Sequence, residues 1–270
     1  MNHSPCLVNF VGAGSCSLEN LTLGAYQAIQ DAELILYDSL IHPDIKSIFP
    51  KNSLTIFVGK RAGKHSIDQS EICRLLKTFA LQGRSIVRLK GGDPLVFSRI
   101  SEEMEVLDQV GVSYKIFPGV SSMSAIASQL KFPLTNRDQD PEFHVMQGFH
   151  LSEDPRYWQF LAHTDMTIVI FMGMKRRQLI AKKLIAAGKD PTIPYLVAVS
   201  NEDGEVNCSM AKLQDMLSFH DRALPPGPGL IYIGRNLSAF HIQRHMDSRS
   251  RETYRLEMIQ GGGSTQGRQH

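Results

Sequence analysis

Apolar positions along the chain follow two rhythms. Short runs alternate apolar and polar residues, as half-buried strands do, and longer segments repeat apolar residues every three or four positions, as amphipathic helices do. Residues 7–11 (Leu-Val-Asn-Phe-Val) predict a first strand. A glycine turn, Gly12-Ala13-Gly14, leads from it to a helix over 18–29, with Leu21, Ala25, Ala28 and Ile29 on one side. Strands are then predicted over 32–37, 54–58, 85–89 and 112–117, and helices over 66–82, 97–110 and 123–129. Ser66 with Gln69 three residues later has the form of a capping box, placing the start of the 66–82 helix at Ser66. Strand, turn and helix in repetition are the usual start of a doubly wound α/β unit.

The rhythm changes over 131–140, where Phe132-Pro133-Leu134-Thr135-Asn136-Arg137-Asp138 carries a proline and no period. Beyond it, strands are predicted over 143–146, 166–171, 195–199, 205–210 and 230–233, with the 205–210 segment pairing as a β-ribbon. Helices are predicted over 157–161, 177–187 and 211–219, with Gly188 closing the second of these. The expected architecture is α/β: two α/β domains with a cofactor cleft between them, the usual place for a ligand in such proteins. The expected divisions are an N-terminal domain over 1–138, a C-terminal domain over 139–245 and a polar, disordered tail over 246–270. Gly261-Gly262-Gly263-Ser264 and the residues after it suggest a disordered tail.

Composition narrows the function classes. With 42% hydrophobic and 21% charged residues in 270, the chain suits a soluble protein with a substantial core. A net charge of +2 argues against nucleic acid or a membrane surface as the main partner, while allowing a local basic cleft. No apolar run approaches the ~18 residues of a membrane span. The first ten residues lack a basic region followed by an apolar run, so no signal peptide is expected and the expected location is cytoplasmic. Cys6, Cys16, Cys73 and Cys208 are scattered without a C-x-x-C pair, which predicts reduced thiols and no metal. His144 and His150 lie six apart, the wrong spacing for a helical zinc pair. There is no nucleophile elbow and no G-x-x-x-x-G-K-[ST] phosphate loop.

What is left is chemistry at strand ends. Asp38 closes the 32–37 strand, and Gly91-Gly92-Asp93-Pro94 follows the 85–89 strand. Two adjacent glycines let the backbone approach a ligand closely or simply turn, and both readings stand. The 54–58 strand runs into Gly59-Lys60-Arg61-Ala62-Gly63-Lys64-His65, either a solvated loop or a site for a polyanionic substrate. A dinucleotide fingerprint would need a third glycine at Ser17, so NAD and FAD are discounted. Glycine turns, lone carboxylates and a basic loop suit an enzyme that binds and positions, with group transfer from a cofactor.

The order of these segments carries a resemblance. Gly12-Ala13-Gly14 with Leu21-Thr22-Leu23, Tyr37-Asp38, Val58-Gly59-Lys60-Arg61-Ala62-Gly63 with His65-Ser66, and Val87-Arg88-Leu89-Lys90-Gly91-Gly92-Asp93-Pro94 come first. Phe97, Arg99 with Glu102-Glu103, Pro118-Gly119-Val120-Ser121, Pro133-Leu134-Thr135 with Arg137-Asp138, and Met172-Gly173 follow. Over residues 7–240 the chain resembles the tetrapyrrole methylases, and among them the uroporphyrinogen-III C-methyltransferases.

The resemblance implies a homodimer that binds S-adenosyl-L-methionine in the interdomain cleft and releases S-adenosyl-L-homocysteine. It implies methylation of uroporphyrinogen III at C2 and C7 to give precorrin-2. A related methylase acting on another tetrapyrrole, or a catalytically weak cofactor- or tetrapyrrole-binding relative, are the alternatives. It assigns cofactor contacts to Ser15, Gly91, Gly92, Asp93, Val96, Ser121, Ser122, Met172, Asn201 and Gly229. Asp38 matches a proton acceptor and Lys60 a proton donor, and Arg99 and Glu102 match positions tied to substrate handling. Arg61, Lys64 and Arg137 offer charge-assisted partners for substrate carboxylates. The chain departs from the family in three places. Gly14-Ser15-Cys16-Ser17 stands where Gly-Pro-Gly-Asp is usual, Phe97-Ser98-Arg99-Ile100 where Phe-Gly-Arg-Gly is usual, and Thr135-Asn136-Arg137 where Thr-His-Arg is usual. Bulkier Ser98 and Ile100 are expected to narrow the cleft.

Overall fold

Two β-sheets organise the chain. The structure, a computed structural model, describes residues 7–59, 67–138, 140–218, 224–225, 227–239 and 253–255. The first sheet has the order β3-β2-β4-β1-β5, from β1 (Leu7–Gly12), β2 (Leu34–Tyr37), β3 (Leu54–Phe57), β4 (Ile86–Lys90) and β5 (Ser113–Phe117). All of its pairs are parallel. Parallel neighbours need crossover connections. α1 (Leu23–Gln30), α2 (Gln69–Ala80) and α3 (Ile100–Asp108) lie within them.

β4 shows why this sheet needs cover on both sides. Val87 and Leu89 join Ala25, Ala28 and Ile29 of α1 in one core cluster. Ile86 joins Ile72 and Leu76 of α2 and Ile100 and Leu107 of α3 in another. Arg88 and Lys90 share the side of Ile86 because side chains alternate along a strand. The chain leaves β1 toward β2 on one flank, and leaves β4 toward β5 on the other. Connections that diverge from adjacent strands open a crevice at their carboxyl ends, where open α/β sheets bind ligands.

Several boundaries move from their expected places for local reasons. α1 starts at Leu23, capped by Thr22, whose side chain accepts from the Ala25 amide at 3.2 Å; a short 3-10 turn, Leu18–Asn20, precedes it. α2 is capped by Asp68, which accepts from the Glu71 amide at 2.9 Å, rather than by Ser66, which lies outside the described residues. α3 starts at Ile100 because Phe97 and Arg99 hold positive φ (49° and 60°). The helix expected over 211–219 is a 3-10 segment, Leu213–Ser218, since β9 runs on through Lys212.

The second sheet is mixed, with the order β11-β9-β8-β10-β7-β6. Its strands are β6 (Glu142–Gln147), β7 (Met166–Phe171), β8 (Pro194–Ser200), β9 (Val206–Lys212), β10 (Gly229–Ile233) and β11 (Thr253–Arg255). Only β6 and β7 run parallel. β11 falls within the tail expected to be disordered. Residues 253–255 pair with 207–209 instead, because the edge of β9 offers unpaired backbone groups. α5 (Pro155–His163) and α6 (Arg177–Ala186) cover one face, where Trp158, Leu161, Ile180 and Leu184 meet Ile168, Ile170 and Ile231.

α4 (Ser122–Gln129) covers the other face. It leaves the carboxyl end of β5, yet Ile126 and Ala127, with Leu130 and Phe132, pack on Leu196, Ala198, Leu230 and Tyr232. Phe132 meets the Tyr232 ring edge-on at 4.9 Å, and the Tyr232 hydroxyl donates to the Met123 carbonyl at 3.0 Å. This helix lies before the expected division at 138, and the second sheet buries its apolar face.

Candidate active site at the strand ends

The loops after β1, β4 and β5 meet backbone to backbone. Gly14 and Gly92 exchange amide hydrogen bonds at 3.2 and 2.8 Å. A Cβ at Gly12 would lie 2.5 Å from the Gly119 amide nitrogen, and one at Gly119 would overlap the Gly92 carbonyl. A Cβ at Gly91 would overlap the Leu40 carbonyl, which brings in the loop after β2. Only residues without a side chain fit these approaches.

Gly92 differs from its neighbours. With φ at +70°, the place of its absent Cβ faces the Ser15 hydroxyl at 3.3 Å and the Ser122 amide at 3.8 Å, and nothing nearer. This is a polar notch at the N-terminus of α4, a helix whose Ser121 makes no side-chain capping bond. The first amides of the helix and its dipole favour an anionic or polar ligand group. Asp93 is half-buried beside the notch, and its Oδ1 accepts from the Leu95 amide at 2.7 Å. The half-buried Val96 donates its amide to the Asp93 carbonyl at 3.2 Å.

The second sheet closes on the same place. The hairpin between β8 and β9 presses on the first loop, so that a Cβ at Gly204 would overlap the Cys16 carbonyl. Gln129 of α4 donates to the Gly204 carbonyl at 3.0 Å. Asn201 shapes that hairpin, accepting from the Glu205 amide at 2.9 Å and donating to its carboxylate at 3.2 Å. Gly229 starts β10 opposite Val199. Met172 follows β7 in a left-handed conformation (φ 55°) and is exposed, next to Phe171, whose ring lies 5.1 Å from that of Phe97. Burial in this contact region pushes the Cys16 thiol up to about 11.

Two departures from the family turn out to be internal. Ile100 is buried in the core with Leu107 and Leu76, and Ser98 turns back to donate to the Pro94 carbonyl. Neither narrows the cleft, contrary to expectation, because the positive φ values at Phe97 and Arg99 turn the chain between them. Ser15 takes the place of a proline, and its carbonyl accepts from Asn20 at 2.6 Å.

The candidate residues are thus gathered unevenly. Ser15, Gly92 and Ser122 bound one notch, with Gly91 and Asp93 on either side of Gly92. Arg99 and Glu102 pair with each other at 2.7 Å on the exposed first turn of α3, and Arg137 is exposed beyond α4. Lys60, Arg61 and Lys64 lie outside the described residues.

Asp38 sits at the end of a buried charge cluster that the sequence reading did not single out. Arg88 donates to Asp38 Oδ1 at 2.7 Å and to Glu103 at 3.0 and 3.3 Å, and Lys90 donates to Glu103 at 2.7 Å. Gln69 donates to the same Glu103 Oε1 at 3.0 Å. Burial opposes the charge on Arg88, Lys90 and Glu103, and the outcomes differ. Glu103 and Asp38 outweigh burial at Arg88 and hold its guanidinium above the usual value. Burial, reinforced by Arg88, leaves Lys90 below its usual value. Arg88 and Lys90 together hold the Glu103 carboxyl below the usual range despite its burial. The available signal was two cations at alternate positions of a central parallel strand, where both faces are ordinarily apolar.

The sequence profile of the Tetrapyrrole (Corrin/Porphyrin) Methylases matches residues 7–206. The chain belongs to this family. Among curated relatives, this tetrapyrrole methylase is 35% identical to the siroheme synthase of Baumannia cicadellinicola subsp. Homalodisca coagulata over 229 residues, 84% of this chain and 49% of that protein. The chain therefore spans about half the length of the curated relatives it matches. The native form of uroporphyrin III C-methyl transferase from Thermus thermophilus superposes with a TM-score of 0.72 at 33% identity, covering 87% of this chain and all of the other. The same enzyme complexed with S-adenyl homocysteine gives 0.71 at 32% identity, covering 86% and 99%. The expected α/β architecture of two domains is the one observed.

Proposed function

We propose that this methylase moves methyl groups from S-adenosyl-L-methionine to C2 and C7 of uroporphyrinogen III, yielding precorrin-2 and S-adenosyl-L-homocysteine. The observation that carries the reading is the meeting of the glycine loops at Gly92, where the bare backbone faces the Ser15 hydroxyl and the Ser122 helix amide and a Cβ would crowd that hydroxyl at 3.3 Å. The Thermus thermophilus relative complexed with S-adenyl homocysteine, which aligns over 86% of this chain, supports the same cofactor class. When bound, the cofactor supplies an electrophilic methyl on a cationic sulfonium.

This chain's residues then bind, orient and handle protons. Gly91, Gly92, Asp93 and Val96 would hold the cofactor from the first sheet, with Ser15, Ser121 and Ser122. Met172, Asn201 and Gly229 would hold it from the second. Arg61, Lys64, Arg99 and Arg137 would pair with the carboxylates of the macrocycle, and Glu102 would orient Arg99. Asp38 accepts the proton that the methylated macrocycle loses. Its Oδ1 is engaged by Arg88, so Oδ2 is the accepting atom. Lys60 would lend a proton to the macrocycle intermediate and regain it, so that each methyl group gained is matched by the one proton lost to Asp38. A homodimer in the cytoplasm belongs to the same reading, and so does the absence of a metal; among the described residues no helix is long and apolar enough to cross a membrane.

Incubation with uroporphyrinogen III and S-adenosyl-L-methionine should give the absorbance of oxidised precorrin-2. Tight cofactor binding without that product would discard the substrate and favour another tetrapyrrole or a weakly catalytic relative. Asp93→Ala removes the carboxylate that orders the loop beside the notch. It should weaken S-adenosyl-L-homocysteine binding by about 10- to 100-fold, the range for a lost charge-assisted hydrogen bond. Unchanged affinity in calorimetry would remove Asp93 from the site.

A further inference from the structure

Among the four charges of the buried cluster, three side chains are 0–2% exposed and one, Asp38, is 25% exposed at the strand ends. A buried ion cluster adds little stability over apolar packing of the same volume. Its placement under the site therefore calls for another account. Arg88 supplies one. Its Nε donates to Glu103 Oε2, its Nη1 to the Leu36 and Leu89 carbonyls at 3.4 and 3.1 Å, and its Nη2 to Asp38 and Glu103. These five bonds use every N–H that a guanidinium has. The group cannot turn without breaking several of them. Glu103, anchored on α3 and filled by Lys90 and Gln69, fixes the far side of the fork.

We infer that Arg88, clamped by Glu103, is a positioning residue that presents the Asp38 carboxylate to the macrocycle and acts on methyl transfer through Asp38 alone. The inference deepens the proposed function and rests on it for the role of Asp38. A planar fork holding one carboxylate oxygen leaves the other oxygen in a set direction, and a flexible ammonium does not supply this. Misplacing a reacting group by about 1 Å costs on the order of 100-fold in rate.

A double-mutant cycle with Arg88→Met and Asp38→Asn tests it. Alone, Arg88→Met should lower kcat about 100-fold, with KM for tetrapyrrole and cofactor changed by less than about 3-fold. In the Asp38→Asn background the same substitution should lower kcat by less than about 3-fold, because residues acting as a unit are not additive. Arg88→Lys keeps the charge and loses the fork, so it should recover part of the rate and stay about 10-fold below the parent. Should Arg88→Met not fold, the cycle is run with Arg88→Lys. Additive losses, losses confined to KM, or full activity in Arg88→Lys would overturn the inference. If the parent enzyme transfers no methyl group to uroporphyrinogen III, the functional reading has failed, and the positional claim is then read from a crystal structure of Arg88→Lys. An Asp38 carboxylate turned from its present place supports the claim, and one left where it stands overturns it.

Discussion

Glu103→Ala should lower the free energy of unfolding by about 3–5 kcal/mol, the cost of removing one partner from a buried ion cluster. Glu103 is fully buried and is the shared acceptor for Arg88, Lys90 and Gln69. Without it, two cations at alternate positions of β4 face each other away from water. Arg88 keeps Asp38, and Lys90 is left with no carboxylate of its own. Lys90 already sits below its usual value through burial and Arg88, so in the variant it should release its proton more readily. The sign of the pH dependence follows. The parent's Glu103 carboxyl is depressed in the folded state, so its contribution is present above the ordinary carboxylate value of about 4.3 and is lost as pH falls through the folded value. In the variant this acid loss disappears. A steeper gain with rising pH replaces it, because the unfolded lysine holds its proton up to about 10.4 while the folded one does not. Urea denaturation across a pH series reads both changes. A loss below about 1 kcal/mol at neutral pH would mean that water reaches the cluster.

Gly119→Ala should reduce cofactor affinity and kcat/KM together by about 100-fold or more. The added Cβ would overlap the Gly92 carbonyl and lie 2.9 Å from both the carbonyl carbon and Cα of Gly12. All three are backbone atoms, so no flexible side chain can give way. The loops after β1, β4 and β5 must separate, and the exchanged bonds between Gly14 and Gly92 are next to the wedge. Gly119 has no unusual φ, so strain of the substituted residue itself does not confound the result. Gly83→Ala is the useful contrast: φ is +77°, nothing lies within 4 Å, and the site is remote. It should cost stability and leave affinity alone. Calorimetry with S-adenosyl-L-homocysteine, beside methyl-transfer kinetics, separates the two. Unaltered affinity in Gly119→Ala would mean that the three loops need not touch.

The sequence made the parallel half of the fold legible because its strands are short, apolar and closed by glycine or aspartate. Its pattern also located Gly91, Gly92 and Asp93 at the end of a strand. It did not show that Gly92 faces Ser15 and Ser122, since those contacts join segments far apart in the chain. Pattern also failed at α3. A helical period through 97–99 gave no sign of the left-handed residues that turn Ile100 into the core. The charge cluster was missed for a related reason. Arg88 and Lys90 lie within one of the segments that carry the resemblance, yet periodicity cannot tell a buried cation from an exposed one. Glu102 was preferred to Glu103, and one step along α3 separates a solvent-facing carboxylate from a fully buried one.

α4 has a mechanical consequence. Its first amide borders the notch, and its body is seated beneath the second sheet. A hinge placed before it, in Pro118-Gly119-Val120-Ser121, would leave that helix with the second lobe. Any rocking of the second lobe would then drag the Ser122 amide relative to Gly92 and reshape the notch. Occupancy of the notch and the relative tilt of the lobes are therefore a single degree of freedom, and a ligand that fits one tilt selects against the others.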